Sequence, residues 1–125
     1  LMRIDSNGRF DTTFGPAHTG IVTTTLGAAG ENSAVTGVAI DRAGHILAGG
    51  VLYSLRATSM SLVRYTTDGN PDTTFGIGGV TFVSATPPNR YRASALVLDA
   101  SNRIVLGGYG YEHAEYEFAT ARFGN

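Results

Sequence analysis

The sequence contains no cysteine, and its nine positively charged residues are all arginines, without a single lysine. Without cysteine the chain can form no disulfide, no thiolate metal site and no cysteine-based catalytic centre. The arginines are balanced by ten carboxylates, which gives a net charge of −1. A chain with this balance lacks the basic surface that holds a phosphate backbone, so we do not expect nucleic acid as a partner.

Long apolar runs are missing as well. The uninterrupted apolar stretches extend over a few residues, whereas roughly 20 are needed to cross a bilayer. We therefore expect no membrane insertion. The chain starts within LMRID, from Leu1 to Asp5, which reads as the middle of a strand. We expect it to be a piece of a longer protein, and any export signal would then lie outside it.

Glycine is what the chain has in abundance, with 17 in 125 residues, against a usual share of about 7 per cent. Threonine, alanine and valine are also frequent, as is typical of strands and turns. No window long enough for a helix keeps a helical spacing of apolar residues without a glycine or proline inside it. The composition and length predict a single all-β region.

The sequence repeats itself. LMRIDSNGRFDTTFG at residues 1–15 returns as LVRYTTDGNPDTTFG at residues 62–76. AIDRAGHILAGG, which starts at Ala39, returns as VLDASNRIVLGG from Val97, at a slightly shorter spacing because the intervening loops differ. TARFGN at the end restates LVRYTT. Periods of this length are typical of propellers and related arrays, whose units cannot bury their own faces alone.

We therefore predict one repeat region over residues 1–125, with repeat boundaries near 1–61 and 62–125. The first full unit contains four strand-like runs, AVTGVAID, HILAGGVLY, MSLVRYT and GVTFVS, separated by turn signals. Such a series predicts a four-stranded antiparallel meander. Gly69 and Pro71 mark the connection between the third and fourth runs as a loop.

The run LVRYTTDGNPDTTFGIGGV, followed by ALVLDASNRIVLGGY, resembles the delta-60 repeat, a bacterial repeat of unassigned biochemical function. The resemblance covers essentially the whole chain. It implies β-propeller blades in a large extracellular or cell-surface protein, and it names no substrate. Two repeats are too few for a propeller of about 4 to 8 blades. We expect identical copies to close it, three giving six blades or four giving eight, or neighbouring blades of a longer chain to do so.

The shared residues predict the packing of each blade. Each phenylalanine of DTTFG is expected to plug the space between blades, worth about 3 to 5 kcal/mol against alanine if buried. Each aspartate is expected to cap its turn and to pair with the arginine of the preceding strand, Arg64 with Asp72 being the nearest pair. These structural repeat residues are Arg3, Asp11, Phe14, Arg64, Asp72, Phe75 and Arg122.

The residues that break the repeat are the better candidates for function. Where the first copy has ENSA, the second has NRYRA, which places Arg90, Tyr91 and Arg92 in a predicted loop. Arginine and aromatic side chains anchor protein partners well, and they also suit a glycan. An ordinary loop with a tyrosine folded onto the surface is the alternative.

A second departure is YGYEHAEYEF, which replaces VLYSLRATSM. If it stays extended, alternate residues share one face, and His113 with two carboxylates could bind a metal or act as a general acid and base. A carboxylate-rich hairpin facing water explains it equally well. His18 and His45 have no carboxylate partner nearby in the sequence. The residues of this face are Tyr109, Tyr111, His113, Glu115 and Glu117, with Tyr116 added as a candidate for binding a partner.

The turn DSNGRFD carries oxygen donors in Asp5, Asn7 and Asp11 around Gly8, and a calcium site is one interpretation. Its repeat TTDGNPD loses the first donor, and neither turn ends in glutamate, so a solvated turn is the other interpretation. We predict no metal, no cofactor and no catalytic residue.

No nucleophile elbow, phosphate loop or dinucleotide fingerprint is present. The sequence therefore favours a non-catalytic interaction or scaffold module that binds a protein, a glycan or further copies of itself. A propeller hydrolase or lyase with its site at the central channel is the alternative, and the fold alone does not choose between them.

Overall fold

The computed structural model describes residues 1–55, 57–83 and 90–124. These ranges contain seven β-strands and no helix, so none of them holds a helix that could cross a membrane. The predicted all-β class is confirmed. The strands are β1 (Asn32–Ile40), β2 (Ile46–Tyr53), β3 (Thr58–Tyr65), β4 (Val80–Val83), β5 (Arg90–Leu98), β6 (Ile104–Glu112) and β7 (Glu115–Phe123).

Strands β1 to β4 form an antiparallel meander, which we call the first blade. The β1–β2 turn closes because Gly44 adopts a φ of 87°, which glycine accepts without steric cost. The long β3–β4 loop contains Gly69, with a φ of 82°, and Pro71, as its sequence predicts. The four predicted strand runs are thus confirmed, and Ser84 at the end of the fourth lies outside the described residues.

Strands β5 to β7 form the second blade, again as an antiparallel meander. It joins the first blade in one seven-stranded sheet through a parallel pair, Thr58 with Arg90. The offset that relates Ala39 to Val97 is kept in detail, because the register shift in β1 after Val35 returns in β5 after Ala93. Residues of the two blades that are related by this offset are therefore structural equivalents.

Residues 1–26 form an amino-terminal unit that repeats the third and fourth strands of a blade. Met2 pairs with Ile21, and the Arg3 N–H donates to the Gly20 carbonyl at 2.9 Å. In the first blade the Arg64 N–H donates to the Gly79 carbonyl in the same way, at 2.8 Å. The amino-terminal unit thus packs against the first blade as the outer half of a preceding blade would.

Two hydrophobic clusters hold the three units together, one on each side of the first blade. Alternate residues of β2 and β3 point to opposite sides, as pleated strands require. The first cluster, against the amino-terminal unit, contains Phe14, Val22, Leu26, Ile46, Ala48, Val63 and Tyr65. The second cluster, against the second blade, contains Leu47, Met60, Leu62, Phe75, Ala93, Ile104 and Leu106. Phe14 and Phe75 lie where the repeat places them, between units.

One element differs from its prediction. Arg90, Tyr91 and Arg92 were expected in a loop, but they are the first residues of β5 and pair with Tyr111, Gly110 and Tyr109 of β6. The physical reason is that the meander of the first blade already extends to Asn32, the equivalent of Arg90, so the strand starts earlier than its apolar residues suggest.

Candidate functional site

The repeated arginine, aspartate and phenylalanine form one compact unit at the edge of each blade. The Arg64 Nε–H donates to Asp72 Oδ2 at 2.8 Å, so the expected ion pair is present. The guanidinium carbon of Arg64 lies 4.6 Å from the centroid of the Phe75 ring. Asp72 Oδ1 in turn accepts hydrogen bonds from the hydroxyl and the backbone N–H of Thr74. Each residue of the motif therefore orients another.

The same unit recurs in the amino-terminal copy. Arg3 donates to Asp11 Oδ2 at 2.8 Å, and its guanidinium carbon lies 4.5 Å from the Phe14 ring centroid. Asp11 Oδ1 accepts from the hydroxyl and the backbone N–H of Thr13. The repetition of every contact in two sequence contexts indicates a structural role. Arg122 lies at the equivalent position of β7 and is exposed.

These hydrogen bonds favour the ionised carboxylates. The hydroxyl of Thr74 holds the pKa of Asp72 below its usual value; burial acts in the opposite direction, and the Thr74 N–H and Arg64 add to the lowering. The pKa of Asp11 is lowered in the same manner, with the Thr13 hydroxyl as its largest cause. Both aspartates therefore stabilise the fold in their charged form.

Sequence reasoning missed a partner of His45. The His45 Nδ1 lies 2.8 Å from Asp41 Oδ2, across the β1–β2 turn, and its Nε2 lies 3.8 Å from Asp72 Oδ2. The expectation that His45 has no nearby carboxylate was wrong, because a tight turn brings residues four apart into contact. In the second blade Arg103 Nε donates to Asp99 Oδ2 at 2.7 Å, at the equivalent positions. This second comparison would have revealed the pair in the sequence.

Burial of Asp41 opposes ionisation, but the hydrogen bonds from the His45 ring and from the backbone N–H groups of His45 and Ala43 outweigh it. The pKa of Asp41 is consequently lowered. Since arginine replaces histidine in the second blade, the position needs a hydrogen-bond donor to the aspartate. We assign the Asp41–His45 pair to the turn of the blade.

The calcium interpretation of DSNGRFD is not supported by the contacts of its donors. Asp5 Oδ1 accepts the backbone N–H groups of Asn7 and Arg9, which closes the turn. Asp11 is paired with Arg3. The oxygen atoms are therefore engaged within the turn and in the ion pair.

The residues that break the repeat meet on the second blade in what we call the arginine–tyrosine groove. It is an open depression of about 640 Å³, and its lining residues come from β5, from β6 and from the β6–β7 hairpin. The lining consists of Arg90, Arg92, Tyr109, Tyr111, Ala114 and Tyr116. Five of the nine predicted partner-binding residues thus lie together.

Strand pairing explains why these five side chains share a face. Arg90 pairs with Tyr111 and Arg92 with Tyr109, and residues directly opposite in an antiparallel ladder point to the same side. Tyr111 also pairs with Tyr116 across the β6–β7 hairpin, with ring centroids 5.1 Å apart.

The groove is specific to the second blade. The first blade carries Asn32 and Ala34 where the second carries Arg90 and Arg92. Arg92 also reaches the first blade, where its guanidinium carbon lies 5.0 Å from the ring centroid of Tyr53. The groove therefore combines two fixed positive charges with three aromatic rings, a combination that holds a carboxylate-bearing ligand.

The remaining candidates lie elsewhere. His113 and Ala114 form the β6–β7 turn, with φ values of 49° and 68°. The expected single face of the segment Tyr109–Glu117 was wrong, because this turn reverses the chain. Glu115 and Glu117 pair with Glu112 and Gly110, on the opposite face from the tyrosines.

Tyr91 also points away from the groove. Its hydroxyl donates a short hydrogen bond to Glu112, and its ring packs against the second cluster. The hydrogen bond to Glu112 raises the pKa of Tyr91, and burial acts in the same direction. In the described part of the chain, no three His, Asp or Glu side chains are arranged to hold a metal ion.

Comparison with known proteins supports the repeat. Residues 44–75, about a quarter of the chain, match the family model of a domain of unknown function (DUF5122) described as a beta-propeller. The match extends from the β1–β2 turn to Phe75 and so includes the Arg64–Asp72–Phe75 unit. No curated protein and no solved structure was found to match the chain. The predicted resemblance to a β-propeller repeat is confirmed, and the family carries no assigned function.

Proposed function

We propose that the protein is a non-catalytic binding module of a secreted or cell-surface protein, and that its arginine–tyrosine groove binds an acidic glycan. The observation that carries the proposal is the convergence of Arg90, Arg92 and three tyrosines on one open face, at positions where the first blade has small residues. Residues that depart from a structural repeat and still meet in space are free to serve a ligand.

The chemistry of the groove favours a saccharide with carboxylates. A guanidinium forms paired hydrogen bonds to a carboxylate, and tyrosine offers both an apolar ring face and a hydroxyl. A protein partner would need an apolar pocket for a buried anchor residue. Ala114 is the aliphatic side chain among the lining residues, so the groove offers polar and aromatic contacts instead.

The position of the acidic residues supports the same choice. Glu112, Glu115 and Glu117 belong to the face on which Tyr91 lies, away from the groove. The positive charges of Arg90 and Arg92 are therefore not neutralised by the carboxylates of their own hairpin. A ligand carboxylate would complete the pairing.

Calorimetric titration with uronic-acid oligosaccharides and with neutral oligosaccharides of equal length tests the proposal. We expect the acidic series to bind and its affinity to fall with added salt, because exposed charge pairs are screened. The Arg90→Gln variant should lose about tenfold or more in affinity, as expected for one charge-assisted hydrogen-bond pair. Tyr91→Phe is the matched control, since its ring lies on the other face, and it should bind as the unmodified chain does.

Equal binding of the acidic and neutral series, or unchanged affinity in Arg90→Gln, would contradict this function. A poly-glutamate peptide that binds in place of the saccharides would show that the partner is an acidic protein segment instead. Neither result would alter the structural account of the blades.

A further inference from the structure

One face of the second blade is uncovered, and we call it the open face. Phe118 is fully exposed there, at 101% of its reference area, and Val97 is 57% exposed. Isolated exposed apolar residues are common, but a contiguous set on one sheet face indicates a contact surface. The open face consists of Val97, Val105, Gly107, Tyr109, Phe118 and Thr120.

The equivalent face of the first blade is buried. Leu47, Val51, Met60 and Leu62 correspond to Val105, Tyr109, Phe118 and Thr120, and none of the four is more than 2% exposed. The second blade covers them with its own opposite face, in the second hydrophobic cluster. The repeat thus contains a working example of how this face is covered.

Glycine at one repeat position supports the same conclusion independently. A Cβ on Gly49 would lie 2.6 Å from Leu106 Cδ2 and 2.7 Å from Leu96 Cδ1, so the second blade needs glycine there to approach. The equivalent Gly107 has nothing within 4 Å of its would-be Cβ. Its own chain gives Gly107 no close neighbour, yet the position is kept open as at Gly49.

At the other end of the chain the first blade carries the complementary surface. Val38 and Ile40 are 53% and 65% exposed, whereas their equivalents Leu96 and Leu98 pack into the second cluster. Beside Val38 lies a groove of about 280 Å³, whose floor includes Ser33, Ala48 and Ser61. The amino-terminal unit covers the outer strands of this face and leaves β1 bare.

We propose that a second copy of this chain covers the open face, head to tail, with β1 and the adjoining groove of its first blade. The contact repeats between copies the packing that joins the two blades within one chain. The occupant is argued from continuity with that interface, since every position on either side has an equivalent in it. The proposal does not depend on a ligand in the arginine–tyrosine groove.

The sizes of the facing residues compensate one another. Phe118 is larger than its equivalent Met60, and the opposing surface is smaller in turn, since Val38 and Ala48 stand where the second blade has Leu96 and Leu106. By equivalence the Phe118 ring enters the groove beside Ser33 and Ser61, because Met60 lies beside their equivalents, Tyr91 and Ala119. Such volume compensation preserves packing density.

The edge of β7 provides the second half of the contact. In the first blade β3 pairs with β4, Val63 opposite Val80. The equivalent edge of β7 has no strand beside it in the described residues. Residues 120–123 are repeat equivalents of residues 1–4, which pair with Ile21 through an isolated bridge. In the assembly β7 of one copy takes the place of residues 1–4 in the next, and Arg122 replaces Arg3 against Asp11 and Phe14.

A head-to-tail contact of this kind generates closed rings when its rotation closes. With two blades for each chain, and about 4 to 8 blades in a propeller, the ring contains two, three or four copies. The arginine–tyrosine groove stays reachable. At the junction of the two blades within the chain, an opening of about 450 Å³ beside Val51 and Tyr53 lies at the same end.

Molar mass measured by light scattering over a concentration series tests the assembly. We expect a discrete mass of two, three or four chains of 13.1 kDa. Phe118→Asp should yield the single-chain mass with an unchanged circular dichroism spectrum. Ile77→Asp is the matched control, because Ile77 is 90% exposed but lies in the β3–β4 loop. It should assemble as before.

The strand exchange has its own test, free of background because the chain has no cysteine. Ala121→Cys and Ile21→Cys variants, mixed and oxidised, should form disulfide-linked heterodimers, since this pair would be opposite and closely spaced in the antiparallel contact. Arg122→Ala should weaken assembly, whereas Arg3→Ala should not. A single-chain mass at all concentrations, assembly that survives Phe118→Asp, or absence of the cross-link would overturn the proposal.

Discussion

Strands β3 and β7 are equivalent in the repeat, yet their surroundings differ completely. In β3 every residue except Arg64 is buried, whereas no residue of β7 is fully buried, although the whole strand is described. Both strands pair along their length with the preceding strand of their blade. The difference therefore comes from the neighbouring unit on the second face. Burial in this repeat is a property of the neighbourhood and not of the strand itself.

The largest difference is expected from truncating equivalent core positions. Met60→Ala removes a side chain that is 1% exposed and should lower the free energy of unfolding by about 2 to 5 kcal/mol. Phe118→Ala, at the equivalent exposed site, should change it by less than about 0.5 kcal/mol at concentrations where the chain is monomeric. Urea denaturation of the two variants provides the measurement. Equal losses would show that the open face is covered within a single chain.

An intermediate effect is expected at the paired glycines. Gly49→Ala forces a methyl group against Leu96 and Leu106, and such overpacking costs about 1 to 3 kcal/mol. Gly107→Ala meets nothing within 4 Å and should leave the stability of the monomer nearly unchanged. Chemical denaturation in dilute solution compares them. A cost at Gly107 equal to that at Gly49 would mean that the second blade is packed on both sides.

The smallest effect concerns the aspartates of the repeat. The folded state lowers the pKa of Asp72, so its contribution is complete above the unfolded pKa of about 3.9 and is lost as the pH falls through the lower folded value. Asp72→Asn should therefore be destabilising at neutral pH, and its difference from the unmodified chain should shrink on acidification through this window.

Asp11→Asn is the matched variant, and it should follow the same direction with a smaller amplitude. The Asp11 side chain is 26% exposed, against 9% for Asp72, so solvent screens its pairing with Arg3 more strongly. Denaturation midpoints recorded between pH 2 and pH 7, in the range set by about pH 3.9, give both curves. A difference between Asp72→Asn and the unmodified chain that grows with acid would contradict the assigned pairing.

Much of the fold follows from the sequence because the repeat is explicit. Residues that recur in both copies, such as Arg64, Asp72 and Phe75, have to satisfy the same contacts twice, which makes their pairing predictable. The turn residues were equally informative, since Gly44 and Asn102 occupy equivalent left-handed positions with φ values of 87° and 64°.

The candidate site was predicted less completely, and the reason is geometric. Arg90, Arg92, Tyr109, Tyr111 and Tyr116 meet because two strands and a hairpin place them opposite one another. Their distribution over three strands was not visible in a linear reading. The turn at His113 and Ala114 was missed because neither residue is a usual one for a positive φ. It moved the glutamates to the other face and removed the expected cluster around His113.

Hydrogen exchange of β7 as a function of protein concentration tests most directly whether neighbours, and not the strand, determine its burial. The amides of β7 that do not pair with β6 should exchange freely in dilute solution and gain protection at concentrations where copies assemble, while β3 stays protected throughout. Protection of β7 that is the same at every concentration would contradict the account.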